Sequence, residues 1–414
     1  MTSPSPADQR GLLGLARSSA IAGGAVVANG LLSAAILAVC AAMGQTGQIA
    51  AYTVVTSALA FVQIGLAGGS AMLYLNGTEA QRALVRAQWA LVVVPGLLVG
   101  AVAVGAFYAW RGYDPSALAA AGVVALGNAL AQLQIADFTR RMRFLANALL
   151  QCASKAASLV LVVAGVPLTV ALAVAGLAQL AAGELVLGKD GSLRGRILPR
   201  YYAQRSADAL RDVAAAYRAG GPLFGYAAGD LYVARAGTVA LSLVAGPAVM
   251  GSFGAVAAAY QAIGGVVQSA LQVPMIARAR ARLGIGYSHH PAWFAVAVAL
   301  ACAVPMAAVV SVLAPVLTRT VLSLPHPGAA GWLVLFMLAL PFMVVTRALL
   351  FDWIGDAHYG RATRAFALLA AVLTVCVAVG VPAFGAAGAA GATAAAEALT
   401  LAVLLLVRAR RGLT

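Results

Sequence analysis

Apolar residues run through this chain in blocks, not in alternation. Twelve stretches of about twenty residues or more carry few charges: 18–42, 49–75, 87–110, 117–137, 146–165, 167–188, 220–245, 248–276, 291–316, 329–351, 363–381 and 384–407. A helix needs about 20 apolar residues to cross the hydrocarbon of a bilayer. Barrel strands would be shorter and would alternate. The pattern predicts twelve transmembrane helices. Two breaks come from turn residues, at Gly165-Val166-Pro167 and at Gly246-Pro247.

Composition agrees with this reading. Of 414 residues, 63% are hydrophobic and only 9% are charged. A soluble domain carries about 25% charged residues. The fold class expected is therefore an all-α polytopic membrane protein. No short apolar core with a cleavage site opens the chain, so no removed signal peptide is expected.

The net charge is +15, and its placement explains it. With the N-terminus inside, the inner segments hold Arg10, Arg17, Arg82, Arg86, Arg140, Arg141 and Arg143, and then the basic run from Lys189 to Arg218. They go on with Arg278, Arg280, Arg282, Arg347, Arg361, Arg364, Arg408, Arg410 and Arg411. The outer loops hold Arg111 and Arg319. This is the bias that orients membrane proteins, and it puts both termini in the cytoplasm. The cations are thus topological, and no nucleic-acid partner is expected.

The longest basic segment divides the chain. We expect a first six-helix bundle over 1–188, a connection over 189–219 and a second six-helix bundle over 220–414. In the connection, Ala207, Leu210, Ala214 and Tyr217 share one helical face, with Arg205, Asp208, Arg211 and Asp212 opposite. That pattern suits either an amphipathic helix at the membrane surface or a solvated linker. Two six-span units in one orientation would be parallel repeats.

Enzyme motifs are missing. There is no phosphate-binding loop for nucleotide hydrolysis, and the outer loops are too short to build an active site. Cys40, Cys152, Cys302 and Cys376 lie far apart within apolar runs and read as small buried hydrophobes. His289, His290, His326 and His358 fall in loops. Neither a metal site nor a cofactor is expected.

Charges at membrane depth are the informative feature. One costs about 2.5–3.5 kcal/mol on insertion scales, and such residues face a bundle interior or a wet cavity. Lys155, Asp230, Arg235 and Glu397 all fall inside predicted spans. Asp137 and Glu184 lie near cytoplasmic ends, where water is within reach. Asp230 and Arg235 are five apart, about 140° around a helix, so they do not share a face. Uncharged Asn29, Gln63, Gln132, Gln134, Gln268 and Gln272 could line the same path or bond between helices. The four charges are either buried pairs holding helices together or a polar pathway that offers cations to an anion.

Three stretches carry a family resemblance: LARSSAIAGGAVVANGLLSAAILAVCAAMG, QLQIADFTRRMRFLANALLQCASKAASLVLVV and AGPAVMGSFGAVAAAYQ. In the last, Gly246, Pro247, Gly251 and Phe253 fill a Gly-Pro, Gly-x-aromatic pattern. The chain resembles the polysaccharide transporters of the multidrug/oligosaccharidyl-lipid/polysaccharide flippase superfamily, the Wzx-type O-antigen flippases. The resemblance implies a MATE-like fold of two six-helix bundles around a central cleft that opens alternately to each side. It implies a bacterial inner-membrane protein, a monomer, whose cargo is an anionic oligosaccharide on a polyprenyl pyrophosphate. Membrane lipids and other polysaccharide-assembly proteins are the further partners expected. Lys155, Arg235, Asp230, Glu397, Asn29 and Gln132 are the candidate substrate-binding residues. A drug/cation antiporter of the same superfamily, or another small-molecule exporter, is the alternative. The antiporter would need a deep acid in the first bundle, and none stands between Arg17 and Tyr74.

The topology is tested by labelling single cysteines in a cysteine-free background. A membrane-impermeant thiol reagent is expected to label Gly112→Cys on intact cells and to spare Ser192→Cys. Labelling of Ser192→Cys would reverse the orientation.

Overall fold

The computed structural model describes residues 24, 27–70, 73–74, 78–141, 143–188, 206–282, 292–355 and 359–412. All regular structure among them is helical. The helices are α1 (Val27–Ala42), α2 (Thr46–Ala67), α3 (Glu79–Trp110), α4 (Pro115–Arg140), α5 (Phe144–Val163) and α6 (Leu168–Leu187). They continue as α7 (Ser206–Ser242), α8 (Pro247–Arg282), α9 (Ala292–Val316) and α10 (Ala329–Gly355). Tyr359–Gly412 is one helical run broken at Gly385, whose φ is 57°. We name its parts α11 (359–384) and α12 (386–412). The expected spans fall on these helices in order. Among the described residues, eight helices are long and apolar enough to cross a membrane, and one of them, Gly360–Val407, covers both α11 and α12.

Sequence sets the boundaries. Thr78 caps α3, and Gln81 returns the bond to the Thr78 backbone, forming a reciprocal box. Asp114 caps α4 ahead of Pro115. Pro167 ends the α5–α6 turn, and Gly165 takes the positive φ of 89° that the turn requires. In α3, Pro95 has no N–H to give the turn before it, and the helix widens into a π-turn over Trp89–Val93.

α7 departs from expectation. The amphipathic stretch and the seventh span form one 37-residue helix. Val213 and Ala216 pack inward, while Leu210 and Tyr217 stay exposed. The Tyr217 hydroxyl donates to the Leu66 carbonyl at 2.5 Å, tying this extension to the end of α2.

In the first half, α4 packs on α6, α5 on α6, and α2 on both α3 and α4. In the second half, α10 packs on α8, α9 and the α11–α12 run, and α7 lies along that same run. The halves meet chiefly through α2, which packs on α7 and α8. Their shared core includes Ile49, Val54 and Val55 from the first half and Met250, Phe253 and Phe336 from the second. At the Gly44 and Gly246 end, the Tyr108 and Ser242 hydroxyls share a bond of 2.5 Å, and Arg111 donates to the Leu243 carbonyl at 2.7 Å. The outward faces stay apolar: Val99, Val102, Leu185 and Val312 are all about three-quarters exposed at 70, 74, 72 and 78%. Exposed apolar surface on this scale fits a lipid solvent.

Two glycines let α8 approach α2. A Cβ on Gly251 would lie 2.5 Å from the Thr46 carbonyl oxygen, and one on Gly254 would meet the Thr53 side chain. Gly251→Val is therefore expected to push the halves apart at this end and to destabilise by about 1–3 kcal/mol, the usual cost of overpacking. Thermal unfolding of the purified protein measures it. An unchanged midpoint would mean that this contact does not hold the halves together.

Candidate functional site

A cavity of about 340 Å³ opens between α1, α2, α5, α6 and α8. Gln151 and Lys155 of α5 line it, and Asn147, four residues before Gln151, continues their face of the helix. Asn29 Nδ2 donates to Gln151 Oε1 at 3.0 Å, and Gln151 Nε2 donates to Asn147 Oδ1 at 3.2 Å. The Oδ1 of Asn29 is buried and has no hydrogen-bond partner. Lys155 lines the cavity and makes no ion pair among the described residues. Tyr52, Ser33 and Gln261 supply further polar groups.

Arg235 enters from α7. Its Nη1 donates to Ser57 Oγ on α2 at 3.5 Å, the outer limit of a hydrogen bond. Its Nε is buried with no hydrogen-bond partner. Among the described residues it has no acidic partner. Gln261 Nε2 donates to the Ala234 carbonyl, next to Arg235, at 3.1 Å. Gln261, which lines the Lys155 cavity, thus reaches the α7 backbone next to Arg235.

Gln261 also lines a second cavity, of about 230 Å³, inside the second half. Glu397 of α12 stands there, fully buried, with Arg347 of α10. The pair is 3.3 Å apart, and the guanidinium lies 5.0 Å from the centre of the Phe366 ring on α11. This corrects the placement of Arg347, which counts as an inner-segment cation by position but is 2% exposed within the helix bundle. The apolar residues after it, Ala348 to Phe351, carry the helix on past it. Glu397 is accordingly ion-paired within the second half, and the contacts described do not join it to Arg235.

The other expected site residues separate. Gln132 receives a bond from Gln63 Nε2 at 2.8 Å between α4 and α2, and neither lines the Lys155 cavity. Gln134 Nε2 donates to the Leu180 carbonyl and to Glu184, tying α4 to α6. Asp137 is fully buried and accepts from the Tyr74 hydroxyl at 3.1 Å, which corrects its reading as a water-facing boundary residue. The side chains of Asp230, Gln268 and Gln272 lie outside the described residues, as do His289, His290 and His358. Cys302 is exposed on α9, not buried.

Gln151, Gln261, Tyr52 and Arg347 are the residues that sequence reasoning overlooks. Two signals would have found the amides. Asn147, Gln151 and Lys155 repeat every four residues, and Gln261 stands seven before Gln268, on the same helical face.

No protein-family profile matches the chain, and no curated protein matches it in sequence. Solved structures do match its fold. An inward closed conformation of the lipid II flippase MurJ aligns with a TM-score of 0.64 at 13% identity, covering 95% of this chain and 87% of that one. The Vibrio cholerae MATE transporter VcmN, in its bent form, aligns at 0.53 and 14%, covering 95% of each chain. The eukaryotic MATE transporter AtDTX14 aligns at 0.52 and 14%, covering 96% of each chain. The chain therefore has the fold of these transporters over nearly its whole length.

The Arg347–Glu397 pair generates a stability test. Removing one partner strands a buried charge, at a cost of about 3–5 kcal/mol, while replacing both with apolar residues can be neutral. Glu397→Leu is expected to lower the unfolding midpoint clearly, and the double variant Arg347→Met with Glu397→Leu to recover most of the loss. A double variant no better than the single one would show that the residues act separately.

Proposed function

We propose that this protein is a membrane transporter that flips a polyprenyl-pyrophosphate-linked oligosaccharide from the cytoplasmic to the outer leaflet by alternating access. The setting is the bacterial inner membrane, with both termini cytoplasmic, and the pathway is the synthesis of a surface polysaccharide. The observation that carries this reading is a pair of deep cations without acidic partners among the described residues. Lys155 comes from the first half, and Arg235 comes from the second and reaches Ser57 on α2, where the halves meet.

The chemistry of the cargo matches these two groups. Pyrophosphate is a compact anion that cannot cross hydrocarbon unaided. An arginine fork binds it at two oxygens, and a lysine follows it as a mobile point charge. Burial strengthens both interactions, because the surroundings screen them less than water does. The fold neighbour with the highest TM-score among those cited is named a lipid II flippase. A drug/cation antiporter has less support, since no acid lies between Arg17 and Tyr74 and none lines the Lys155 cavity.

Export of surface polysaccharide in a strain lacking the gene tests the reading, normalised to transporter in the membrane fraction. Arg235→Ala is expected to slow export about tenfold, the scale of one lost charge-assisted hydrogen bond. Arg235→Glu should abolish it, and Arg235→Lys should fall between. Full export by Arg235→Glu at normal expression would contradict a role for this charge in binding the cargo.

A further inference from the structure

The amide ladder beside Lys155 offers acceptors as well as donors, and an anion can use only the donors. We propose that the cavity lined by Asn29, Ser33, Gln151 and Gln261 holds a neutral polyhydroxylated ring, the first saccharide unit attached to the anionic group. The proposal rests on the flippase reading and deepens it, dividing the site into a cationic part for the pyrophosphate and an uncharged part for the sugar.

Four features of the lining select this ligand class. Amides and hydroxyls present donors and acceptors together, as vicinal sugar hydroxyls do. The lining also carries the aliphatic side chains Ile36, Leu37, Leu168 and Leu172, which suit the C–H face of a ring. Among the described residues no carboxylate lines it to hold a cation, and Tyr52 is the one aromatic residue there, so a flat aromatic cation would find little to stack on. The volume, about 340 Å³, lies within the range of about 300–1,000 Å³ seen for small-molecule pockets.

The ladder is also incomplete by itself. Asn29 is held on Gln151, and Gln151 on Asn147, but Asn29 Oδ1 receives no donor. A buried acceptor left alone is unfavourable. A ligand hydroxyl that enters as the cavity opens would satisfy it. The ladder fixes the orientation of both amides before the ligand arrives, which lowers the ordering cost of binding. Lys155 stands four residues beyond Gln151 on the same face, so the cationic and uncharged parts are neighbours along α5.

The test uses the full-length protein in lipid nanodiscs and two probes, undecaprenyl pyrophosphate and the same lipid carrying N-acetylglucosamine. The native protein is expected to bind the sugar-bearing lipid about tenfold tighter, the scale of one or two added hydrogen bonds. Asn29→Leu and Gln151→Leu should bring this ratio close to one. Lys155→Ala should weaken both lipids in parallel and leave the ratio in place. Equal binding of the two lipids by the native protein would overturn the sugar subsite and leave the flippase reading standing. So would a ratio that survives both leucine variants. Binding of neither lipid would overturn the subsite and the flippase reading together.

Discussion

A charge inside hydrocarbon must be paired, hydrated or used, and this chain deals with its deep charges in two ways. In the second half, Arg347 and Glu397 neutralise each other at 3.3 Å, under the ring of Phe366. Three helices, α10, α11 and α12, meet there. Where the halves meet, Lys155 and Arg235 have no such partner among the described residues. A half-buried cation with one long bond to Ser57 is costly to keep. We read that cost as the price of a site for an anion.

The helices are arranged around this distinction. α2 packs on α7 and α8 and joins the halves. Small residues at Gly251 and Gly254 bring α8 against it, as is common where membrane helices approach closely. That contact places Gln261 of α8 between two cavities, one holding Lys155 and one holding the closed Arg347–Glu397 pair. Any rocking of one half against the other must pass through this shared wall. The hydroxyl bond between Tyr108 and Ser242 and the grip of Arg111 on Leu243 hold one end. The Tyr217 bond to Leu66 links the halves through the extension of α7.

Much of the fold was legible in the sequence because the bilayer imposes it. Block length, turn residues and cation bias placed the helices, and the Gly165–Pro167 and Gly246–Pro247 breaks fall where the chain turns. The site was legible only in part. Lys155 and Arg235 stand out as charges within apolar runs, but their lack of partners is a tertiary fact. Arg347 misled because a cation near the end of a span reads as topology unless its partner, fifty residues later on α12, is in view. Glu397 looked like a pathway residue for the same reason. Gln132 shares its composition with Gln151, yet it faces Gln63, because one-dimensional spacing does not tell which neighbour a helix face meets. The helical face before the seventh span was legible, but its continuity with that span was not, since the pattern suited a separate surface helix or a linker equally.

The central claim is that Lys155 and Arg235, without acidic partners among the described residues, hold the phosphate of a lipid-linked cargo between the halves. A cryo-electron microscopy reconstruction of the protein in nanodiscs with undecaprenyl pyrophosphate tests it most directly. The account predicts phosphate density between the Lys155 ammonium and the Arg235 guanidinium, with the polyprenyl chain leading out toward lipid. An empty cleft at saturating lipid, with Arg235 still turned to Ser57 and the lipid bound only on the outer surface, would contradict it.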